Sequence, residues 1–203
     1  MTEEQIATAM SASQQDISFL VDEIHRRDNL IIGSDTHKTI LVAGHSLGGA
    51  TAAAALLTER RIHAGINIDG SFQPPFADSD INCPFLLAGN ENMTLVTEPS
   101  WQRMWPRFRS TKAAVNVRGA THSTFTDLSF IATKLGFSTT APSGMEDFLG
   151  TIDDARAVEI VTAYITAFAR FVAGWESTAL AARARKAFPE VSVLGEEAQG
   201  RCK

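Results

Sequence analysis

A short apolar run, Thr39-Ile40-Leu41-Val42-Ala43, leads directly into Gly44-His45-Ser46-Leu47-Gly48-Gly49, and then into Ala50-Thr51-Ala52-Ala53-Ala54-Ala55-Leu56-Leu57. The first run is rich in β-branched residues and long enough for one buried strand. The last is a series of strong helix formers without a breaker. A serine between them, in a Gly-x-Ser-x-Gly pentapeptide, belongs on a sharp strand-to-helix turn, a nucleophile elbow. The pentapeptide alone arises by chance in about one chain in fifteen of this length, so the flanking strand and helix carry the assignment. Such a turn forces Ser46 into strained backbone angles and lifts its hydroxyl clear of the sheet. Gly44 and Gly48 are expected where strand and helix approach too closely for a β-carbon. The N–H of Leu47 opens the helix and is expected to aim where a tetrahedral oxyanion would form.

Composition narrows the partners. The chain has 203 residues, which suits a single domain of residues 1–203 with a sizeable core. Its net charge of −5 and the lack of a basic run argue against nucleic acid as a partner. No run of some 18 apolar residues could span a membrane, although peripheral lipid contact stays open. The start, Met1-Thr2-Glu3-Glu4-Gln5, is acidic and polar, unlike a secretory signal, and a secreted or a cytoplasmic location both remain open. Cys83 and Cys202 do not form a metal-binding spacing, and one bridge between them is left open. His25, His37, His45, His63 and His122 are scattered singly, so neither a metal nor another cofactor is expected.

The rest of the chain alternates helices with apolar strands. Thr2-x-x-Gln5 is a capping-box pattern opening an amphipathic helix over about residues 3–27, with a break expected near Ser11-Ala12-Ser13. After a loop over 28–38 and the elbow come a helix to about Arg60 and a short strand, Ala64–Asp69. A proline-containing loop, Gly70–Phe76, leads to a buried strand over Pro84–Gly89. A short helix places Trp101, Met104, Trp105 and Phe108 along one side, and Ala113–Val117 reads as the last strand. A helix over about 123–135 follows. Asp153 then caps a long helix whose Val158, Val161, Tyr164, Ile165, Phe168 and Val172 form the expected buried stripe. Residues 191–203 read as a flexible tail. Such alternation implies a mostly parallel sheet with helices on both faces, and reactive residues at the carboxyl ends of the strands.

Ser46, Asp69 and His122 each fall just past a strand, in the order nucleophile, acid, base, which is the order of the α/β-hydrolases. His122 lies in a Gly-x-x-His turn with a polar flank and is the candidate general base. His45 belongs to the elbow and is expected to pack. For the acid, Asp69 competes with Glu91. Many α/β-hydrolases carry the acid two residues beyond Glu91, where this chain has Met93, so the role is assigned to Asp69. Phe72, Phe76, Trp101 and Trp105 are candidates for lining an acyl or lipid-facing surface, with packing in the core as the other reading of the tryptophans.

Three stretches resemble the plasma-type platelet-activating factor acetylhydrolase family: Gly44–Thr51, Gly65–Gly70, and Gly119–Asp127 with its His-x-x-Phe-x-Asp pattern. The resemblance covers about residues 3–190 and implies an α/β-hydrolase fold and a serine esterase acting on short acyl esters of lipid-like substrates, phospholipids with a short sn-2 chain among them. It covers only the latter part of that fold. The strands that normally precede the elbow strand are missing here, so an N-terminally truncated domain is expected. With them goes the loop that supplies a second oxyanion amide, a loss of about 10²–10³ in rate. The elbow strand would then be a bare sheet edge. A broad carboxylesterase or polyesterase, and a weakly active or inactive remnant that binds apolar ligands or a partner, are the alternatives.

Overall fold

The computed structural model describes residues 2–26, 39–74, 78–135, 145–176 and 187–199. At its centre is a five-stranded sheet whose spatial order follows the chain: β1 (Ile40–His45), β2 (Ile62–Ile68), β3 (Phe85–Asn90), β4 (Lys112–Val117) and β5 (Val191–Glu197). The first four strands are mutually parallel, and β5 runs antiparallel to β4. Among the described residues, β1 pairs only with β2 and so forms one edge.

The two-residue period of the strands splits the core in two. On one face of the sheet, Ala64, Ile66, Leu86, Ala113 and Val115 pack under Ile160, Tyr164, Phe168 and Val172 of α6, the helix Asp154–Val172. On the other, Phe85, Leu87 and Ala114 meet Ala53 of α2 (Leu47–Thr58) and Trp101 and Met104 of α3 (Pro99–Met104). Outside α2 lies α1 (Glu3–Arg26), with Met10 against Ala50 and Ala54, and Val21 against Ala55 and Ile62. Two short helices, α4 (Leu128–Lys134) and α5 (Met145–Leu149), complete the fold.

The helix ends follow local chemistry. Thr2 and Gln5 form the reciprocal capping box, at 2.9 and 3.2 Å. Asp153 accepts the N–H of Arg156 at 2.9 Å, capping α6 as its sequence implies. Helix α1 runs unbroken through Ser11-Ala12-Ser13, because packing of Met10 and Val21 on α2 outweighs the weak propensity of two serines. Helix α2 stops at Thr58 rather than Arg60, since Glu59 turns extended at φ −114° and ψ 97°.

Three expectations are corrected. The buried line of α6 is Ala157, Ile160, Tyr164, Phe168 and Val172, while Val158 is 57% exposed. One position along a helix turns the side chain by about 100°, so a reading that favours bulk over spacing selects the wrong neighbour. The segment 123–135 is a 3₁₀ turn at His122–Phe125 followed by α4. Finally, Val191–Glu197 is not a flexible tail, nor is β4 the last strand. Val191 and Val193 join the α6 face of the core and Leu194 the other, while Lys112, its side chain only 5% exposed, pairs with Glu197 at 3.2 Å. The charges near this segment hide its alternation. The loop over 28–38, Phe76 and Cys202 lie outside the described residues, and the pairing of Cys202 with Cys83 lies there too.

Candidate active site

Strand register brings Ser46 and Asp69 to the same level. His45 pairs with Ile68, the Ser46 N–H continues the ladder to the Ile68 carbonyl at 2.8 Å, and the Asp69 N–H does the same to Ala88 at 2.8 Å. Both residues then leave the sheet through left-handed backbone, Ser46 at φ 57° and Asp69 at φ 56°. For side chains other than glycine such angles cost about 1–3 kcal/mol each and persist only where the surroundings impose them. Here the surroundings are glycines and one buried amide. A β-carbon on Gly44 would lie 2.2 Å from the Gly48 backbone, one on Gly49 2.1 Å from Asn67 Oδ1, and one on Gly70 2.0 Å from the Ser46 carbonyl. Gly48, in contrast, faces open space, so the close approach expected there belongs to Gly49. Fully buried Asn67 bonds reciprocally to the Gly70 backbone, donating to its carbonyl at 2.8 Å and accepting its N–H at 2.8 Å.

His122 reaches this pair from the 3₁₀ turn beyond β4. Its Nδ1 donates to Asp69 Oδ2 at 2.6 Å, and its Nε2 lies 3.0 Å from Ser46 Oγ. A carboxylate oxygen can only accept, so the proton sits on Nδ1 and leaves Nε2 a lone pair for the serine hydroxyl. The Asp69 side chain has no exposure while that of His122 is 53% exposed, an arrangement with a buried charge behind and an accessible base in front. Asp69 Oδ1 accepts the Asn90 N–H at 2.7 Å, and Oδ2 accepts Asn90 Nδ2 at 2.8 Å.

Glu91 is used elsewhere. Its carboxylate accepts the Gly119 N–H at 2.8 Å and faces a separate polar cleft with Arg118, Asp153 and Arg156. His45 packs as expected but also touches His122: its Nε2 donates to the His122 carbonyl at 3.1 Å, and the two rings lie 4.5 Å apart. Burial, then the charge of His122, holds its pKa below the ordinary 6.5. His45, Asp69 and His122 bring potential metal ligands within 4.8 Å of one another, yet His45 Nε2 and both Asp69 oxygens are engaged in these hydrogen bonds.

An open cleft of about 360 Å³ lies over the serine, lined by Ser46, Leu47, Asp69, His122 and Asn90, with Ile6, Met93, Ser71 and Gln73 around them. Leu47 is the first residue of α2, where helix N–H groups have no acceptor within the helix. Of the aromatic candidates for a lining, Phe72 and Trp101 are instead core residues. Phe72 lies near Phe85 and Phe108, and the Trp101 indole donates to the Gly70 carbonyl at 2.8 Å. Trp105 packs against Gly195 of β5 with the Lys112 ammonium 4.8 Å from its ring centre, away from the cleft. Asn67 and Asn90 escaped the sequence reading. A polar residue inside the apolar run Ile66–Ile68 was a usable signal for Asn67, whereas nothing around Asn90 marks it.

The sequence profile of the family described as platelet-activating factor acetylhydrolase, isoform II, matches residues 13–174. A protein of Arthroderma benhamiae named probable 1-alkyl-2-acetylglycerophosphocholine esterase is 25% identical over 82% of this chain and 46% of its own length. The platelet-activating factor acetylhydrolase of Gallus gallus is 28% identical over 53% of this chain and 25% of its own. The solved structure of a ferulic acid esterase from Streptomyces cinnamoneus superimposes with a TM-score of 0.74 at 30% identity, covering 94% of this chain and 56% of that one. This chain therefore spans about half the length of the Arthroderma relative and carries part of an α/β-hydrolase fold.

Proposed function

Since the chain belongs to the platelet-activating factor acetylhydrolase family, we propose that it is a carboxylic ester hydrolase working through Ser46, His122 and Asp69. The observation that carries this reading is the continuous bond path Ser46–His122–Asp69, at 3.0 and 2.6 Å. Ser46 Oγ attacks the ester carbonyl carbon as its proton passes to His122 Nε2. The Leu47 N–H donates to the oxyanion, and Asp69 stabilises the imidazolium. Collapse breaks the bond to the alcohol, which leaves with the proton from His122. Water then attacks the acyl-serine by the same route, returning Ser46 and a carboxylic acid.

The substrate class proposed is a short acyl ester of a lipid-like alcohol. It is supported by the names of the Arthroderma and Gallus relatives and by a cleft with apolar Ile6, Leu47 and Met93 beside polar Ser71 and Gln73. A broader carboxylesterase is the second reading, favoured by the 30% identity to a ferulic acid esterase. Labelling with a fluorophosphonate tests the shared chemistry. Covalent modification at Ser46, absent in Ser46→Ala, is expected, and folded protein that takes no label overturns the proposal. A panel of a phospholipid with an sn-2 acetyl group, the aryl ester p-nitrophenyl acetate and a polyester separates the two substrate readings.

A further inference from the structure

We infer that Asn90 is a positioning residue of the relay, holding the Asp69 carboxylate in the orientation that His122 requires; this rests on the triad reading above. The Asp69 carboxylate has no exposure to water, so protein donors must satisfy both of its oxygens. Asn90 reaches both, its backbone N–H on Oδ1 at 2.7 Å and its side-chain Nδ2 on Oδ2 at 2.8 Å. Oδ2 is also the oxygen that accepts His122 Nδ1 at 2.6 Å. One residue thus grips the carboxylate on either side and fixes its plane, and the side-chain half of the grip acts on the atom facing the imidazole.

The Asn90 amide is itself oriented. Its Oδ1 accepts the Asn92 N–H at 2.8 Å, which leaves Nδ2 as the group turned to Asp69. The turn carrying it is tied to the segment leading into His122: Glu91 N–H donates to the Ala120 carbonyl at 3.2 Å, and the Glu91 carboxylate accepts the Gly119 N–H at 2.8 Å. Asp69 stands at φ 56°, a conformation that its own backbone does not favour. Its carboxylate therefore depends on outside contacts for direction, and Asn90 supplies two.

The test compares Asn90→Asp and Asn90→Ala in this chain, by the rate of fluorophosphonate labelling at Ser46, by kcat and KM for p-nitrophenyl acetate, and by Tm. Both variants keep the backbone N–H and lose the Nδ2 donor; alanine also loses the acceptor for the Asn92 N–H, and aspartate keeps that acceptor but turns a second carboxylate oxygen toward Asp69. Asn90→Ala is expected to lower kcat and the labelling rate about tenfold, and Asn90→Asp up to about a hundredfold, with KM changed less than about twofold. Aspartate has the shape of asparagine, so a role in packing alone demands the opposite order, with alanine the worse. In an Asp69→Asn background, Asn90→Ala is expected to cost less than about twofold more, because its effect runs through Asp69. Wild-type rates in both variants, or losses that multiply in the Asp69→Asn background, overturn the inference alone. A wild-type chain that takes no label overturns the triad reading and this inference with it.

Discussion

His45 donates from Nε2 to the main-chain carbonyl of His122 at 3.1 Å, and the two imidazoles lie 4.5 Å apart. A second proton on His45 would place a cation in a half-buried site against His122, with Asp69 as a weaker counterweight. Its pKa is accordingly held below 6.5, chiefly by burial. The unfolded chain then binds more protons than the folded one as pH falls past about 6.5, so stability declines on acidification. Glu59 and Glu190, held below their ordinary 4.5 by hydrogen bonds from Arg61 and Arg156, lose their contribution only at lower pH. The expected result is a Tm that drops as pH falls through and below about 6.5 in the wild type. The drop is smaller in His45→Gln, which keeps a donor but does not titrate. Parallel Tm curves for the two proteins would refute this account of His45.

Removing a member of the proposed triad has graded consequences. Ser46→Ala and His122→Ala are expected to lower kcat by about 10⁶, and Asp69→Asn by about 10⁴. Glu91→Gln should stay within about tenfold of wild type, since that side chain accepts from Gly119 rather than from the imidazole. Steady-state rates on p-nitrophenyl acetate decide the matter. If Glu91→Gln abolishes turnover and Asp69→Asn does not, the acid has been misassigned.

The elbow glycines separate into those with a steric duty and one without. Gly44→Ala, Gly49→Ala and Gly70→Ala each drive a β-carbon to between 2.0 and 2.2 Å of the Gly48 backbone, Asn67 or the Ser46 carbonyl. These three variants are expected to lose labelling at Ser46 and several degrees of Tm. Gly48→Ala meets nothing within 4 Å and lies inside α2, where alanine is favoured by about 1 kcal/mol. It should fold at least as stably as wild type. A Gly48→Ala protein as damaged as Gly44→Ala would contradict the backbone geometry.

What the sequence made legible follows from locality. Ser46 is announced by its own neighbours, strand on one side and helix on the other. Asp69 and His122 are announced by strand ends, because a parallel sheet gathers those ends without any need to know the pairing. Residues whose role depends on a distant partner stayed hidden. Asn90 matters because of a carboxylate 21 positions earlier. The alternation in Val191–Glu197 becomes a strand only because the β4 edge is there to accept it. Trp101 and Trp105 read equally as lining or as core, and the choice depended on which face of β3 and β4 their segment covers.

That choice separates the effects of two side chains near the cleft. Trp101 has no exposure, and its indole shares the Gly70 carbonyl with Asn67. Trp101→Phe removes one donor, at about 1 kcal/mol. Trp101→Ala leaves a cavity worth about 3–5 kcal/mol. Trp101 does not line the cleft over Ser46, so the ratio of kcat/KM for acetyl and longer esters should hold while the urea midpoint falls. Met93 also packs in this core, but it borders the cleft beside Ser46 and Leu47. Met93→Ala enlarges that wall and is expected to shift the ratio toward longer acyl chains by about tenfold, the scale of one or two methylene groups in an apolar pocket. Measuring the p-nitrophenyl acetate, butyrate and hexanoate series on all three variants distinguishes the two positions. A chain-length shift in Trp101→Phe with none in Met93→Ala would show that the acyl group lies against α3 rather than against the turn after β3.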